Sequence, residues 1–295
     1  MTEAARPATG TLYLIPTPLG PDDDPLRVLP PATVAAVTGL ELIVAEHARS
    51  ARAVLARLPM RRPLQEITIH ELNRHTPEQE LDRLLAPLLQ GRDAGLMSEA
   101  GCPAVADPGA ALVALAHRHG VRVVPLVGPS SLLLALMACG MNGQAFSFAG
   151  YVPVDAAERA QRLRELQRRS AASGETVLVI ETPYRTQTLF EAMLQALDED
   201  TVLGVAARLT LEGEQVRSLP VRRWRALRPT LEKTPTVFTL QAPARAQAGR
   251  PGGSARSGRH EPAQQPGLHP GPEGRKPEGR PGPPSKTGGR GRRPR

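Results

Sequence analysis

The sequence predicts an α/β fold, and three observations carry that prediction. Short apolar runs rich in β-favouring residues alternate with helical stretches from residue 11 onward, the pattern of a mostly parallel sheet with right-handed crossovers. Several of these runs end in compact loops of Gly, Pro, Ser and acid, which is where ligands sit in such sheets. The chain has 295 residues and 40% hydrophobic content, enough for a sizeable core and for two domains.

The elements follow in order. Residues 11–16 (TLYLIP) form a first strand, broken by Thr17-Pro18-Leu19-Gly20, and residues 21–25 continue as loop. A helix over 30–38 leads to a buried strand over 41–45 and a helix over 48–58 with Ala51, Val54, Leu55 and Leu58 on one face. A weaker strand over 67–72 precedes a polar turn, with Thr76 as the expected N-cap before Pro77. The helix over 77–89 carries Leu81, Leu84, Leu85 and Leu88 at helical spacing, a core stripe rather than a binding device. Residues 94–97 are a buried strand, 110–119 a helix and 121–127 a fifth strand, followed by an apolar helix over 132–139. A second unit opens with a strand over 146–152 and a charged helix over 155–170. Arg159, Arg162, Arg164, Arg168 and Arg169 on that helix could meet RNA, but a solvated helix face is the commoner case and is expected. Strands over 176–180, 202–207, 217–219 and 236–241, a helix over 188–197 and a short helix around Trp224 complete the fold.

Three strand-end loops carry the chemistry. The first and most informative is residues 98–109, Ser-Glu-Ala-Gly-Cys-Pro-Ala-Val-Ala-Asp-Pro-Gly. Gly101 lets backbone approach a ligand, and Pro103 and Pro108 fix the turn. Asp107 before Pro108 suits a helix cap, which leaves Glu99 as the ligand-facing acid. The second loop, Gly128-Pro129-Ser130-Ser131, presents hydroxyls and free N–H groups at a helix start, although Ser130 also suits a simple cap. The third is Glu181-Thr182-Pro183-Tyr184-Arg185.

Composition excludes several classes. Aromatic residues make up 3% of the chain, so stacking surfaces are few. No apolar run approaches the roughly 20 residues that span a bilayer, and no membrane partner is expected. Residues 1–10 lack the pattern of a signal peptide and read as a flexible N-terminus. Two cysteines, Cys102 and Cys139, point to a reducing, cytoplasmic setting, and seven scattered histidines suggest no metal site. The net charge of +8 belongs to the C-terminus. From Pro243 onward lie 12 of the 37 Lys/Arg and 3 of the 29 Asp/Glu, leaving 25 basic and 26 acidic residues before it. Those last 53 residues hold 12 Gly and 11 Pro with almost nothing apolar, so a disordered basic tail over 242–295 is expected. Its charge licenses non-specific attraction to RNA phosphates or mere solubilisation.

The segments TLYLIPTPLG, LIVAEHARSA, SEAGCPAVADPG, VPLVGPSS, FAGYVP, ETPYR and VAARLT occur in an order that resembles the class III (tetrapyrrole methylase fold) methyltransferases, which use S-adenosyl-L-methionine (SAM). Within that fold the chain is similar to the small-subunit ribosomal RNA methyltransferase I family, which 2′-O-methylates a cytidine of 16S rRNA. The resemblance covers about residues 10–241. It implies a two-domain fold, with α/β domains over 11–127 and 128–241, SAM in the inter-domain cleft, a homodimer, and 16S rRNA or the 30S subunit as partner. It implies SAM contacts at Pro16, Thr17, Pro18, Glu99, Gly101, Cys102, Gly128, Ser130, Ser131, Gly150 and Tyr151. Glu181, Pro183 and Arg185 match the family's Glu-Ser-Pro-His-Arg cluster; since a ribose hydroxyl must lose its proton to a base, Glu181 is the candidate catalytic base and Arg185 the candidate to position a phosphate. The chain also departs from the resembled pattern. Ala45-Glu46-His47-Ala48-Arg49 stands for Ala-Glu-Asp-Thr-Arg, Pro21 for Asn, and Ala206-Ala207-Arg208-Leu209-Thr210 for Ala-Arg-Glu-Leu-Thr. Glu99 and Cys102 fall where the family has Asp and Thr, and Thr182 and Tyr184 replace Ser and His. These changes mark a divergent member. They leave two further readings: a SAM methyltransferase for a small molecule such as a tetrapyrrole, against which scarce aromatics weigh, and a non-catalytic RNA-binding or assembly factor.

Overall fold

A computed structural model describes residues 9–244; the predicted features of residues 1–8 and 245–295, the basic tail among them, lie outside the described residues. At the two margins Gly10 donates its N–H to Leu88 O at 2.8 Å, and the Ala242 N–H reaches Ser170 Oγ at 3.0 Å, so both belong to the fold.

The first half alternates strand and helix. Its strands are β1 (Thr11–Ile15), β2 (Leu42–Ala45), β3 (Thr68–Glu71), β4 (Ala94–Met97) and β5 (Arg122–Pro125). They form one sheet in the order β3-β2-β4-β1-β5, every pair parallel. Burial of β2 and β4 on both faces explains their unbroken apolar sequences. Helices α2 (Pro31–Val37) and α3 (Ala48–Leu55) cover Ile15, Ile43 and Met97. Helices α4 (Glu78–Leu89) and α5 (Gly109–Arg118) cover Leu12, Val44 and Leu96 on the other face.

The second half is a mixed sheet. Its strands are β6 (Phe146–Phe148), β7 (Thr176–Glu181), β8 (Val202–Ala207), β9 (Gln215–Pro220) and β10 (Thr236–Gln241), in the order β6-β7-β10-β8-β9. Only β6 and β7 run parallel; β10 is inserted antiparallel between β7 and β8, and a seven-residue connection over 208–214 returns β8 into β9. The alternating faces of β7, β8 and β10 divide the burial. Leu178, Ala206 and Val237 pack under α6 (Ser131–Cys139). Val179, Val205 and Phe238 pack under α7 (Ala156–Ser173) and α8 (Thr186–Ala196). A last helix, α9 (Val221–Leu227), sets Trp224 edge-on to Phe190 with ring centroids 5.4 Å apart.

Several boundaries differ from the sequence expectation. A short helix α1 (Pro25–Val28) starts at the last residue of the stretch read as loop and fills residues given no element, because Asp24 Oδ1 caps it by accepting from the Leu26 N–H at 3.0 Å. Thr76 does not cap α4; its Oγ1 accepts from the Asn73 N–H at 2.9 Å and closes the preceding turn, and Pro77 takes the cap position. β6 stops at Phe148 because Gly150 turns the chain at φ 69°, and α7 runs to Ser173 because Gly174 at φ 72° is its true stop. The arginines of α7 are not one solvated face. Arg159 is buried and donates to Val154 O at 2.7 Å, and Arg162 pairs with Glu165 at 2.8 Å. No helix among the described residues is long and apolar enough to cross a membrane.

Phe190 is 1% exposed at the centre of the second core. Phe190→Ala is expected to cost about 3–5 kcal/mol, read as a lowered urea midpoint at unchanged m-value.

Candidate active site

The carboxyl ends of β1, β2, β4 and β5 converge at one edge of the first sheet. There the loop after β1 is stapled to the loop after β4. Thr17 N–H donates to Gly101 O at 2.9 Å and Gly101 N–H to Thr17 O at 3.1 Å. Gly101 sits at φ 77°, and Ser98 Oγ donates to its carbonyl at 3.1 Å. Beyond it, Ala104 and Ala106 adopt left-handed φ values of 65° and 62°, which cost a residue with a Cβ. Asp107 holds that shape. Its Oδ1 accepts from the Ala104 N–H at 2.8 Å and from the Gly109 N–H at 2.7 Å, which serves both the loop and the start of α5. The capping function expected of Asp107 is therefore present one residue early, with Pro108 in the formal cap position.

A cleft opens between this edge and the α6 side of the second sheet. Its first compartment, about 240 Å³, is lined by residues 98–102, by Asp107, Ser130 and Ser131, and by Glu46, Phe148 and Tyr151. Three carboxylates meet there. Burial pushes the Glu46 carboxyl above its usual range, the charges of Asp107 and Glu99 add to this, and the Glu99 N–H partly opposes it. Burial raises Asp107 likewise, against its two backbone hydrogen bonds, and its Oδ2 is buried with no hydrogen-bond partner among the described residues. Glu99 is exposed, with Oε1 3.5 Å from Ser50 Oγ. Cys102 has its thiol pushed up by burial, so it stays protonated and unreactive. Ser130 does cap α6, accepting from the Leu133 N–H at 3.4 Å, while still lining the compartment.

The second compartment, about 220 Å³, shares Ala100, Ser131, Tyr151 and Ile180 with the first and adds Leu19, Glu181, Arg208 and Thr236. The Glu181 side chain is fully buried. Its Oε1 accepts from the Thr182 N–H at 2.8 Å. Its Oε2 lies 3.0 Å from Arg185 Nη2, an ion-pair contact without hydrogen-bond alignment. Burial and the charges of Glu181 and Glu46 raise Tyr151, keeping it a neutral phenol. A larger cavity of about 700 Å³ lies on the opposite side of the second sheet, between α8 and the end of α9. None of the strand-end loops reaches it.

The tetrapyrrole (corrin/porphyrin) methylase family matches residues 11–223. The chain belongs to this family. It is 37% identical over 219 residues to ribosomal RNA small subunit methyltransferase I of Mesorhizobium japonicum, which covers 74% of this chain and 70% of that one. It is 32% identical over 234 residues to the protein of the same name in Synechocystis, covering 79% and 76%. Among solved structures, the methyltransferase CobJ superposes with a TM-score of 0.53 at 18% identity, over 82% of this chain and 98% of that one. The cobalamin biosynthetic enzyme cobalt precorrin-4 methyltransferase, CbiF, gives 0.51 at 16%, over 78% and 94%. These two show the shared fold, and the chain is a methyltransferase of the class III type.

Within this methylase fold the expected site residues divide. Glu99, Gly101, Cys102, Ser130, Ser131 and Tyr151 line the first compartment, and Glu181 lines the second. Pro16, Thr17 and Pro18 are buried behind the wall. Gly128 backs onto Pro16, where a Cβ would fall 2.4 Å from Pro16 Cβ. Gly150 turns the chain before Tyr151 without lining either compartment, and Arg185 is committed to Glu181 and to Pro153 O at 3.4 Å. Sequence reasoning missed Glu46, Phe148 and Arg208 as lining residues. For Glu46 the signal was its place directly after β2, an acid at a strand's carboxyl end as Glu99 is two residues beyond β4.

Two outcomes are expected. Gly128→Ala drives a Cβ into the rigid Pro16 ring and lowers stability by about 1–3 kcal/mol in denaturant titration. Glu46 binds its proton more tightly folded than unfolded, so it contributes stability at low pH that is lost as pH rises from the ordinary carboxylate value through the raised one. Glu46→Gln removes that loss, so wild type and variant diverge across this window in a pH series of urea midpoints; parallel curves contradict the assignment.

Proposed function

We propose that the chain transfers the methyl group of SAM to small-subunit ribosomal RNA, at the ribose 2′-hydroxyl of a 16S rRNA cytidine, working as a cytoplasmic homodimer on the 30S subunit. The observation that carries this reading is the pairing of two adjoining compartments, one walled by carboxylates and the other closed by a buried, oriented Glu181. The names of the relatives support the RNA substrate. Leu133 and Met137, exposed on the outer side of α6, offer apolar surface for a second copy.

The first compartment fits SAM chemically. Asp107 Oδ2 awaits a donor, and Glu46 and Glu99 face the same space as acceptors for cationic and hydroxyl groups. When bound, SAM supplies an electrophilic methyl group for in-line displacement, so positioning carries much of the catalysis. Glu181 takes the proton of the acceptor hydroxyl on Oε2, the oxygen that no hydrogen bond among the described residues occupies. Arg185, at 3.0 Å, steadies that oxygen and Thr182 fixes the other.

A small-molecule acceptor is the second reading, favoured by the apolar wall of Leu19, Leu209, Leu211 and Val237 in the second compartment. At about 220 Å³ that compartment does not enclose a macrocycle.

Methyl transfer from radiolabelled SAM to undermethylated 30S subunits, with naked 16S rRNA and a tetrapyrrole precursor alongside, tests the proposal. Label in 30S rRNA is expected, and label confined to the tetrapyrrole overturns it. Glu181→Gln is expected to lower turnover about 10²- to 10⁴-fold at retained SAM affinity. Undiminished turnover places the base elsewhere.

A further inference from the structure

We propose that Arg208 grips a backbone phosphate beside the target nucleotide and so sets the acceptor against Glu181; this rests on the RNA-methylating function above. The cleft needs such a group. A ribose hydroxyl reaches a protein accompanied by phosphates, and Arg185 is already engaged by Glu181 and by Pro153 O. Arg208 lines the same compartment as Glu181 and is half-buried.

The turn over 208–214 is built around this side chain. Arg208 holds a left-handed φ of 55°, a conformation that a non-glycine residue keeps only where its surroundings over-determine it. Arg208 Nε donates to Glu212 O at 2.8 Å. Gly213, at φ 77°, lies so close that a Cβ there would stand 3.3 Å from Nε. Thr210, also left-handed at φ 69°, anchors the turn at both ends: its N–H donates to Glu214 Oε2 at 2.8 Å and its Oγ1 donates to the buried Asp23 Oδ2 at 2.8 Å. One edge of the guanidinium is thereby fixed. Nη1 and Nη2 make no hydrogen bond or ion pair among the described residues. A planar cation held by one edge with its fork open matches the two oxygens of a phosphodiester. The Asp23–Thr210 hydrogen bond joins the loop after β1 to this turn, so the cation is placed relative to the first sheet as well as the second.

The test is steady-state methylation of 30S subunits by wild type and by Arg208→Ala, Arg208→Gly and Arg208→Lys, with SAM affinity measured separately. Arg208→Gly suits the left-handed backbone and keeps the turn folded. Arg208→Ala and Arg208→Gly are expected to raise the KM for 30S about 10- to 100-fold and to lower kcat as the acceptor loses its alignment, with SAM affinity little changed. They are also expected to reduce the salt slope of log kcat/KM by about one. Arg208→Lys is expected to recover the salt slope and part of the KM. An unchanged KM and salt slope in folded Arg208→Gly, beside an active wild type, overturns the role of Arg208 alone. A wild type that leaves 30S unlabelled while binding SAM overturns the proposed function and this inference with it.

Discussion

The reciprocal pair of backbone hydrogen bonds between Thr17 and Gly101 is the constraint from which the rest of the site follows. A sheet edge leaves its loops free to wander, and these two bonds remove that freedom with an isolated antiparallel bridge beyond the end of the parallel β1–β4 ladder. Gly101 meets the requirement only because it can take φ 77° while its carbonyl accepts from both Thr17 and Ser98. With that point fixed, the chain must return to α5 within a few residues. It does so through two left-handed alanines, whose strain is offset by the half-buried Asp107 carboxylate. Thr17 and its neighbouring prolines thus act on the cleft by shaping its wall, and the wall presents Glu99, Ser98 and Cys102.

The first sheet was legible in the sequence because parallel strands buried on both faces read as unbroken apolar runs, and the helices between them carry leucines at helical spacing. Its strand-end loops were legible as sites for the same reason: Gly, Pro and Ser have few other uses directly after a buried strand. The topology of the second sheet was not legible. Residues 236–241 alternate like any half-buried strand, and nothing local states that β10 enters between β7 and β8. Strand partners are non-local facts, while period and composition are local ones. The missed helix α1 has the same origin, since its cap, Asp24, sits in a run of three aspartates that reads as loop.

The site was half legible. Backbone-determined positions such as Gly101 and Gly128 announce themselves by residue type. Side chains that converge from distant segments do not, and Glu46 and Arg208 came to the cleft only through tertiary structure. The departures from the resembled pattern take on physical meaning here. His47, standing for Asp, still caps α3, its Nδ1 accepting from the Ser50 N–H at 3.4 Å, so the helix start survives the change. Arg208, standing for Glu, is a different matter: it places a cation beside Glu181 where the resembled pattern has an acid, and no compensating anion among the described residues pairs with it.

The two compartments resolve their charges in opposite ways, and that difference separates binding from chemistry. In the first, Glu46, Glu99 and Asp107 share a space with no ion pair to any of them among the described residues; burial raises the proton affinity of Glu46 and Asp107, and the neighbouring carboxylates add to it at Glu46. Such a wall gains most when positive charge or hydroxyl donors arrive, so energy stored against folding is returned on ligand binding. In the second, Glu181 is buried only because Arg185 and Thr182 satisfy it in advance. A carboxylate held in that manner is already oriented before a substrate enters, with one oxygen fixed by the Thr182 N–H and the other beside Arg185. A body whose acids and bases nearly cancel can therefore concentrate negative charge in one compartment of a cleft and place the open fork of Arg208 in the adjoining one.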